Sequence, residues 1–471
     1  MTVDHQAATP RRSVLPMPQS LFLFWFNIAL TLVVAVIGFG LGFGQELAAQ
    51  LVIVYTIISA AVFLWLANAV AVMFEERFAG PRVSEDADGV IHHRPSWWRR
   101  NRVMVLSMAA LLLAYLIITA TVPAFRSIQN LIAFLLLELI LLFAFKVAPF
   151  FPRGRSAFIG LMVLAALLVI GAFTIPGFLT APSIRAILLF AAFLGIACIG
   201  LTMVALLGAL DLSIPFVIGT ANIGLMYLIT LGVPPWLAAA FVLIGGGLIG
   251  LINGLLSYRL QGQALILTLG VGFAAAGLMQ IVAAIGSPQA GTVMGRVPDW
   301  LRNLAAMNGT TFGLAVPPAI VIWIVLAIIV ILGLRYTAYG RNLYALGGNR
   351  ESARLAGISE LRYWTLAYVI SGFFAAMTGA LLLGWSGGAH IGVGDRYLFF
   401  TLAAVVIGGT SLAGGAGGYG FTVIGVLVLQ VLSTFLLGIG LRMEWQQFIL
   451  GLLLVPMVAL YSRLPHIRSQ V

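Results

Sequence analysis

AILLFAAFLGIACIGLTMVALLGALDLS, residues 186–213, holds no charged side chain from Ala186 to Leu210, a run of 25 residues. About 20 apolar residues in helical form cross the hydrocarbon core of a bilayer. A membrane-length helix therefore stops on a polar break containing Gly208, Asp211 and Ser213. The same pattern recurs along the 471 residues, of which 62% are hydrophobic and 8% charged, with a mean hydropathy of +1.10. Soluble domains carry about 25% charged residues, and such an apolar chain is not disordered either. Long unbroken apolar runs, in place of alternating ten-residue segments, exclude a β-barrel. The sequence predicts an all-α polytopic membrane protein.

Fourteen apolar stretches are candidate spans. Four precede residue 150, at 21–43, 50–74, 103–122 and 129–149. Ten follow, at 157–176, 186–207, 213–231, 235–257, 264–285, 315–334, 363–385, 397–408, 419–438 and 445–462. The stretch 397–408 is short for a span and is expected to run on into the glycines behind it. With both termini cytoplasmic, 19 of the 25 Lys and Arg residues fall on inside segments and 6 outside, Arg396 among the latter. That asymmetry follows the positive-inside rule. The net charge of +11 is thus topological, and no nucleic acid is expected as a partner. The chain divides into an N-terminal four-helix membrane extension, residues 1–155, and a ten-helix part, residues 156–471. Within the extension, the cytoplasmic loop 75–102 carries Trp97, Trp98, Arg99, Arg100 and Arg102. These suit an anchor at the surface of the lipid bilayer, with a partner contact as the alternative.

Catalysis finds no support. The single lysine, Lys146, lies in the context Phe145-Lys146-Val147, so no P-loop is present. Neither H-E-x-x-H nor G-x-S-x-G occurs. Gly415, Gly417 and Gly420 match G-x-G-x-x-G, but ahead of a span rather than after a strand. The one cysteine, Cys198, sits in an apolar run and reads as packing. No catalytic residue, cofactor or metal is expected, which leaves transport.

Four segments carry information. In Gly208–Ser213, Asp211 or Ser213 either caps a helix starting near Ile214, with Pro215 in its first turn, or faces a translocation path. The two roles are compatible, because broken helices line transporter pathways. Gly408 to Gly418 holds six glycines in eleven residues and opens the backbone, making Thr410 and Ser411 path candidates. Gly208 and Leu212 match Gly408 and Leu412, which suggests a parallel internal repeat. Gly246, Gly250 and Gly254 form a helix-packing ladder. Asn222, Asn253 and Thr268 hydrogen-bond between helices or line the path. In the cytoplasmic loop from Arg335 to Arg362, Asn349 is a candidate N-cap, 350–356 form two helical turns and Gly357 suits the position after the helix. Its small residues Ser352, Ala353 and Ala356 permit close approach of another surface, and Arg350, Glu351 and Arg354 fix register. A docking helix and a solvated loop both remain open. Glu138, mid-span with Lys146 eight residues later, either bonds a neighbouring helix or binds a coupling ion.

At these residues the ten-helix part resembles the permease subunits of bacterial sugar ABC importers, the ribose/galactose/xylose group. The resemblance rests on Gly208-Ala209-Leu210-Asp211-Leu212-Ser213, on Gly250 to Leu256, on Tyr344 to Asn349 with Glu351 to Ile358, on Val405 to Gly415, and on Trp445-Gln446-Gln447. It spans roughly residues 156–466. It implies a permease homodimer in the bacterial inner membrane, a cytoplasmic ATP-binding subunit and a periplasmic solute-binding protein. It also implies docking of the ATPase on Asn349, Glu351, Ala353, Arg354, Leu355 and Gly357. The cargo would be a sugar or a similar small polar solute, and the missing P-loop would belong to the partner. Ala209 and Ile214-Pro215-Phe216 depart from the group's pattern. The competing class is an ion-coupled secondary transporter of a small polar solute, with Glu138 or Asp211 as coupling site.

Overall fold

The computed structural model describes residues 83–85, 91–93, 155–260, 263–285, 291–441, 446–447 and 451. The chain separates into two compact units, Met1–Val147 and Ala148–Val471. In the first, strands β1 (Val83–Glu85) and β2 (Ile91–His93) pair antiparallel, with Ser84 opposite His92. The four spans expected before residue 150, Glu138, Lys146 and the Trp97–Arg102 patch lie outside the described residues.

The second unit is helical. In order it contains α1 (Arg155–Thr174), α2 (Ala181–Leu206), α3 (Ile214–Thr230), α4 (Pro235–Arg259) and α5 (Ala264–Ala284). Next come β3 (Thr292–Val293), α6 (Asp299–Ala305), α7 (Pro318–Tyr336), α8 (Ala338–Gly348) and α9 (Arg350–Leu355). Then follow α10 (Glu360–Ser386), β4 (Ala389–His390), a 3-10 turn (Ile391–Gly394), α11 (Tyr397–Gly408) and α12 (Tyr419–Gly438). Proline opens α2, α3, α4 and α7, at positions where its missing N–H has no helical partner to lose. Helices occupy nine of the ten stretches expected after residue 153. The tenth, 445–462, lies outside the described residues but for Gln446, Gln447 and Gly451. Among the described residues, seven helical segments are long and apolar enough to cross a membrane, and α3 is a shorter apolar helix.

One expectation is overturned. The stretch 397–408 does not continue into the glycines behind it. Gly409, with φ of 97°, ends α11 in the left-handed region. The apolar segment is instead lengthened from its front by the 3-10 turn, giving Ile391–Gly408.

Helix α2 is the centre of the unit, 89% of its apolar window being buried, against 17% for α5. Both helices are apolar all round, as a core helix or a membrane span is; α2 is central because it packs on α7, α10, α11 and α12. α5 exposes Ile266, Phe273, Leu278 and Ile281, the surface a lipid-facing helix presents. The glycine ladder does the packing expected of it. A Cβ on Gly250 would strike the Tyr368 carbonyl, and one on Gly246 would stand 2.5 Å from the Gly372 carbonyl. The backbones of α4 and α10 are thereby in contact. Cys198 is buried in α2.

Because Gly245 has open space where Gly250 has backbone, the two positions separate packing from helix propensity. Gly250→Leu should cost about 3 kcal/mol or more through overpacking, and Gly245→Leu should be neutral or mildly stabilising. Thermal unfolding in detergent measures both; equal melting temperatures would contradict the ladder's role.

Candidate functional site

Three of the four informative segments meet at one end of the unit, and they meet backbone to backbone. α2 closes with a left-handed glycine: Gly208 has φ of 76°, and the Ala209 N–H donates back to the Val204 carbonyl at 3.2 Å. α11 closes in the same way, with the Thr410 N–H donating to the Val405 carbonyl at 3.1 Å. This is the Schellman ending, which satisfies carbonyls that a helix terminus leaves open. In this geometry Gly208 corresponds to Gly409, so the residue match of Gly208 with Gly408 is out of register by one.

The two endings then interlock with α8. The Gly415 N–H donates to the Leu206 carbonyl at 2.9 Å. A Cβ on Gly208 would lie 2.9 Å from the Ala413 carbonyl, and one on Gly414 would lie 2.8 Å from the Gly347 carbonyl. A Cβ on Gly347 would strike the Leu206 carbonyl itself. The Tyr344 hydroxyl, raised above its ordinary pKa by burial and so kept protonated, donates to the Gly417 carbonyl at 2.8 Å. Beside this junction lies a cavity of about 640 Å³, walled by Gly208, Leu210, Leu346, Arg350, Trp364 and Leu412 among others.

Polar side chains cluster nearby and hold the broken segment through several hydrogen bonds. Asp211 Oδ1 accepts from the Ser213 N–H at 3.0 Å and from the Ser213 hydroxyl at 2.6 Å. Asn253 Nδ2 donates to Ser213 Oγ at 2.8 Å, and the Leu212 N–H donates to Thr268 Oγ1 at 3.0 Å. The Tyr368 hydroxyl donates to the Leu210 carbonyl at 3.1 Å, and Trp364 Nε1 donates to Ser257 Oγ at 2.8 Å. Four of the seven proposed path residues (Asp211, Ser213, Asn253 and Thr268) are therefore brought together. All four are buried. The capping expectation is only half met. α3 does start at Ile214 behind Ser213, yet the Ser213 side chain makes no cap bond, and Asp211 instead closes a two-residue turn onto Ser213. Asn253 Oδ1 is buried without a hydrogen-bond partner among the described residues, while Ser371 Oγ lies beside the Asp211 carboxylate, close enough to interact but short of good hydrogen-bond geometry.

The other three path candidates lie elsewhere. Asn222 binds the Gly379 carbonyl at 3.0 Å and the His390 N–H at 2.9 Å, tying α3 to α10 and β4. Thr410 is consumed by Gly418 and Thr422. Ser411 Oγ accepts from the Ala413 N–H at 3.2 Å, inside its own loop.

In the loop between α7 and α10, Asn349 caps α9, its Oδ1 accepting from the Ser352 N–H at 2.9 Å. Gly357 follows α9 with φ of 79°. Glu351 and Arg354 pair at 2.7 Å on the exposed face. Leu355 is 80% exposed, whereas Ala353 is turned inward at 4%. The small face expected to admit another surface is thus Ser352 and Ala356, without Ala353.

Arg350, expected with Glu351 and Arg354 to fix the register of a docked surface, instead reaches inward to the junction. Its Nη2 donates to the Leu207 carbonyl at 3.2 Å, its Nη1 lies 3.7 Å from Glu360, and its guanidinium sits 4.7 Å above the Trp364 ring. The first residue of α9 is thereby tied to the last carbonyls of α2, the negative end of that helix. Nothing in residue type alone marks Arg350 over Arg354; only the fold shows which one points inward.

Asn at position 211 keeps the oxygen that accepts from Ser213 and places a donor beside Ser371. Asp211→Asn should accordingly retain about 1–3 kcal/mol more stability than Asp211→Leu. Detergent melting curves compare the two; equal destabilisation would show that the carboxylate charge, rather than the hydrogen bonding, holds the segment.

Comparison with known proteins identifies the family. The family model described as branched-chain amino acid transport system / permease component matches residues 183–458. The probable ABC transporter permease protein YphD of Escherichia coli is 33% identical over 63% of this chain and 87% of its own length. The ribose import permease protein RbsC of Bacillus subtilis is 33% identical over 64% of this chain and 91% of its own. The L-arabinose transport system permease protein AraH of Escherichia coli is 32% identical over 63% and 88%. No solved structure matches the chain. An apolar helical unit with glycine-locked broken helices, matched along most of the length of these relatives, places the chain in the ABC importer permease family, as a multi-pass membrane subunit.

Proposed function

We propose that the chain is the membrane-spanning half of an ATP-driven sugar importer, working as a homodimer in the bacterial inner membrane. In this reading ten helices of residues 156–471 form the core, and residues 1–155 add four peripheral helices. Both termini and the α8–α9 loop face the cytoplasm, where an ATP-binding subunit docks on Asn349, Glu351, Arg354, Leu355 and Gly357. A solute-binding protein delivers cargo on the opposite side. The family model's description mentions branched-chain amino acids, but relatives named for ribose, L-arabinose and fructose favour a sugar or a similar small polar solute.

The observation that carries the docking assignment is Leu355. It is 80% exposed on a polar loop, beside the Glu351–Arg354 pair. A large apolar side chain there gains about 1.5–3 kcal/mol when a partner buries it. α9 is also mechanically connected: its first residue, Arg350, holds the Leu207 carbonyl next to Gly208. Movement imposed on α9 by nucleotide binding would reach the broken segment through that contact. ATP chemistry stays on the partner, and this subunit contributes the path and the lever.

Leu355→Asp should weaken association with the ATPase at least about tenfold, in line with losing one buried leucine. Arg354→Glu should act in the same direction. Co-purification with the cognate ATPase, alongside an unchanged melting temperature of the isolated subunit, checks this. Wild-type association in both variants would remove α9 as the docking element.

A further inference from the structure

A twelve-residue helix is about 18 Å long, too short for a hydrocarbon core of about 30 Å. α11 is such a helix. The chain enters it through an irregular stretch, β4 and the 3-10 turn, running from Ala389 to Arg396. Contacts show how far along the long helices that stretch descends. At its start, the His390 N–H donates to Asn222, which in turn holds the Gly379 carbonyl. Gly379 lies about 10 Å before the end of α10 at Ser386. At the far end of the stretch, a Cβ on Gly394 would strike the Pro215 carbonyl in the first turn of α3. That turn is itself inset, because Ser213 pairs with Asn253, about 9 Å before the end of α4 at Arg259. Asp395 and Arg396 thus stand between the two ends of the long helices, not in a loop beyond them.

Ionisable side chains at that depth are costly unless they face water or a partner. His390 and Asp395 are exposed, and Arg396 is half-buried with its guanidinium 5.0 Å above the Phe400 ring. Among the described residues none of the three has an ion-pair partner. His390 Nδ1 accepts the Gly392 N–H at 3.0 Å, which leaves Nε2 as the ring's remaining polar atom. The Asp211 group, by contrast, is buried away from any open surface.

We propose that His390, Asp395 and Arg396 contact the transported solute in a water-filled path. The proposal rests on the permease reading and adds the place of cargo contact. Irregular backbone at membrane depth is tolerated only against protein or a water-lined cavity. Transporters hold cargo at broken helices near the midplane. The three side chains supply one acceptor carboxylate, a guanidinium fork and an imidazole nitrogen. A sugar hydroxyl both donates and accepts, so it satisfies either kind.

Cys198 is the one cysteine in the chain and is buried, so introduced cysteines report cleanly. Asp395→Cys in the full-length subunit, in proteoliposomes, should react with a membrane-impermeant maleimide on the order of tenfold faster than Phe273→Cys on the lipid-facing helix α5. With the ATPase and binding protein added, ribose, L-arabinose and fructose are tested as cargo. The transported sugar should slow that labelling. Asp395→Asn and Arg396→Gln should cut uptake about tenfold or more while the binding protein still stimulates ATP hydrolysis. Labelling of Asp395→Cys no faster than Phe273→Cys overturns the water-filled path. Wild-type uptake in both polar variants overturns the cargo contact and leaves the permease reading intact. If the wild-type assembly moves no solute on ATP hydrolysis, the permease reading itself fails.

Discussion

A peptide N–H or C=O inside a hydrocarbon layer has no water to turn to, and among the described residues three breaks between helices lie where the helices pack together. The interruptions are 207–213, 389–396 and 409–418. Each is resolved internally. The Schellman endings of α2 and α11 return N–H groups to the last turn. Gly415, Arg350 and Tyr368 then bind the carbonyls of Leu206, Leu207 and Leu210. Asn222 ties down the strand before the 3-10 turn. The remaining architecture is arranged around keeping these breaks satisfied.

Glycine makes that possible by removing side chains where backbones must touch. At Gly208 the positive φ and the close approach of Ala413 are both required, so an alanine would meet strain and a clash together. The junction of α2, α8 and the 409–418 loop is consequently a contact of main chains with little side-chain cushioning. Packed contacts of that kind shift between discrete arrangements rather than yielding gradually. This suits the proposed role of α9, in which its movement would be passed on to a broken helix through Arg350.

Much of this was legible in the residues. Among the described residues, apolar runs of membrane length locate the long helices to within about five residues, since the run of apolar side chains is itself what spans a bilayer. Asn349 and Gly357 announce α9 because caps are local chemistry. What could not be read is tertiary. Ala353 and Arg354 are neighbours in a helix of six residues, and only packing decides that one faces inward and the other outward. The shortness of 397–408 was visible, but which flank completes it depended on whether Gly409 would take a left-handed turn. Arg396 counted as a loop residue under the positive-inside rule, yet it starts a half-length helix level with Pro215. Among the polar residues, Asn222 and Asn253 looked alike in sequence. One pins a strand, and the other joins the Asp211 network.

The central claim is that this subunit is a path whose motor is borrowed. Proteoliposomes holding the purified chain, with and without its ATP-binding partner and binding protein, test it most directly when sugar uptake is measured under imposed sodium and proton gradients and under ATP. The account predicts no uptake from the chain alone under any gradient, and uptake only when the partner hydrolyses ATP. Gradient-driven accumulation by the chain alone would contradict it.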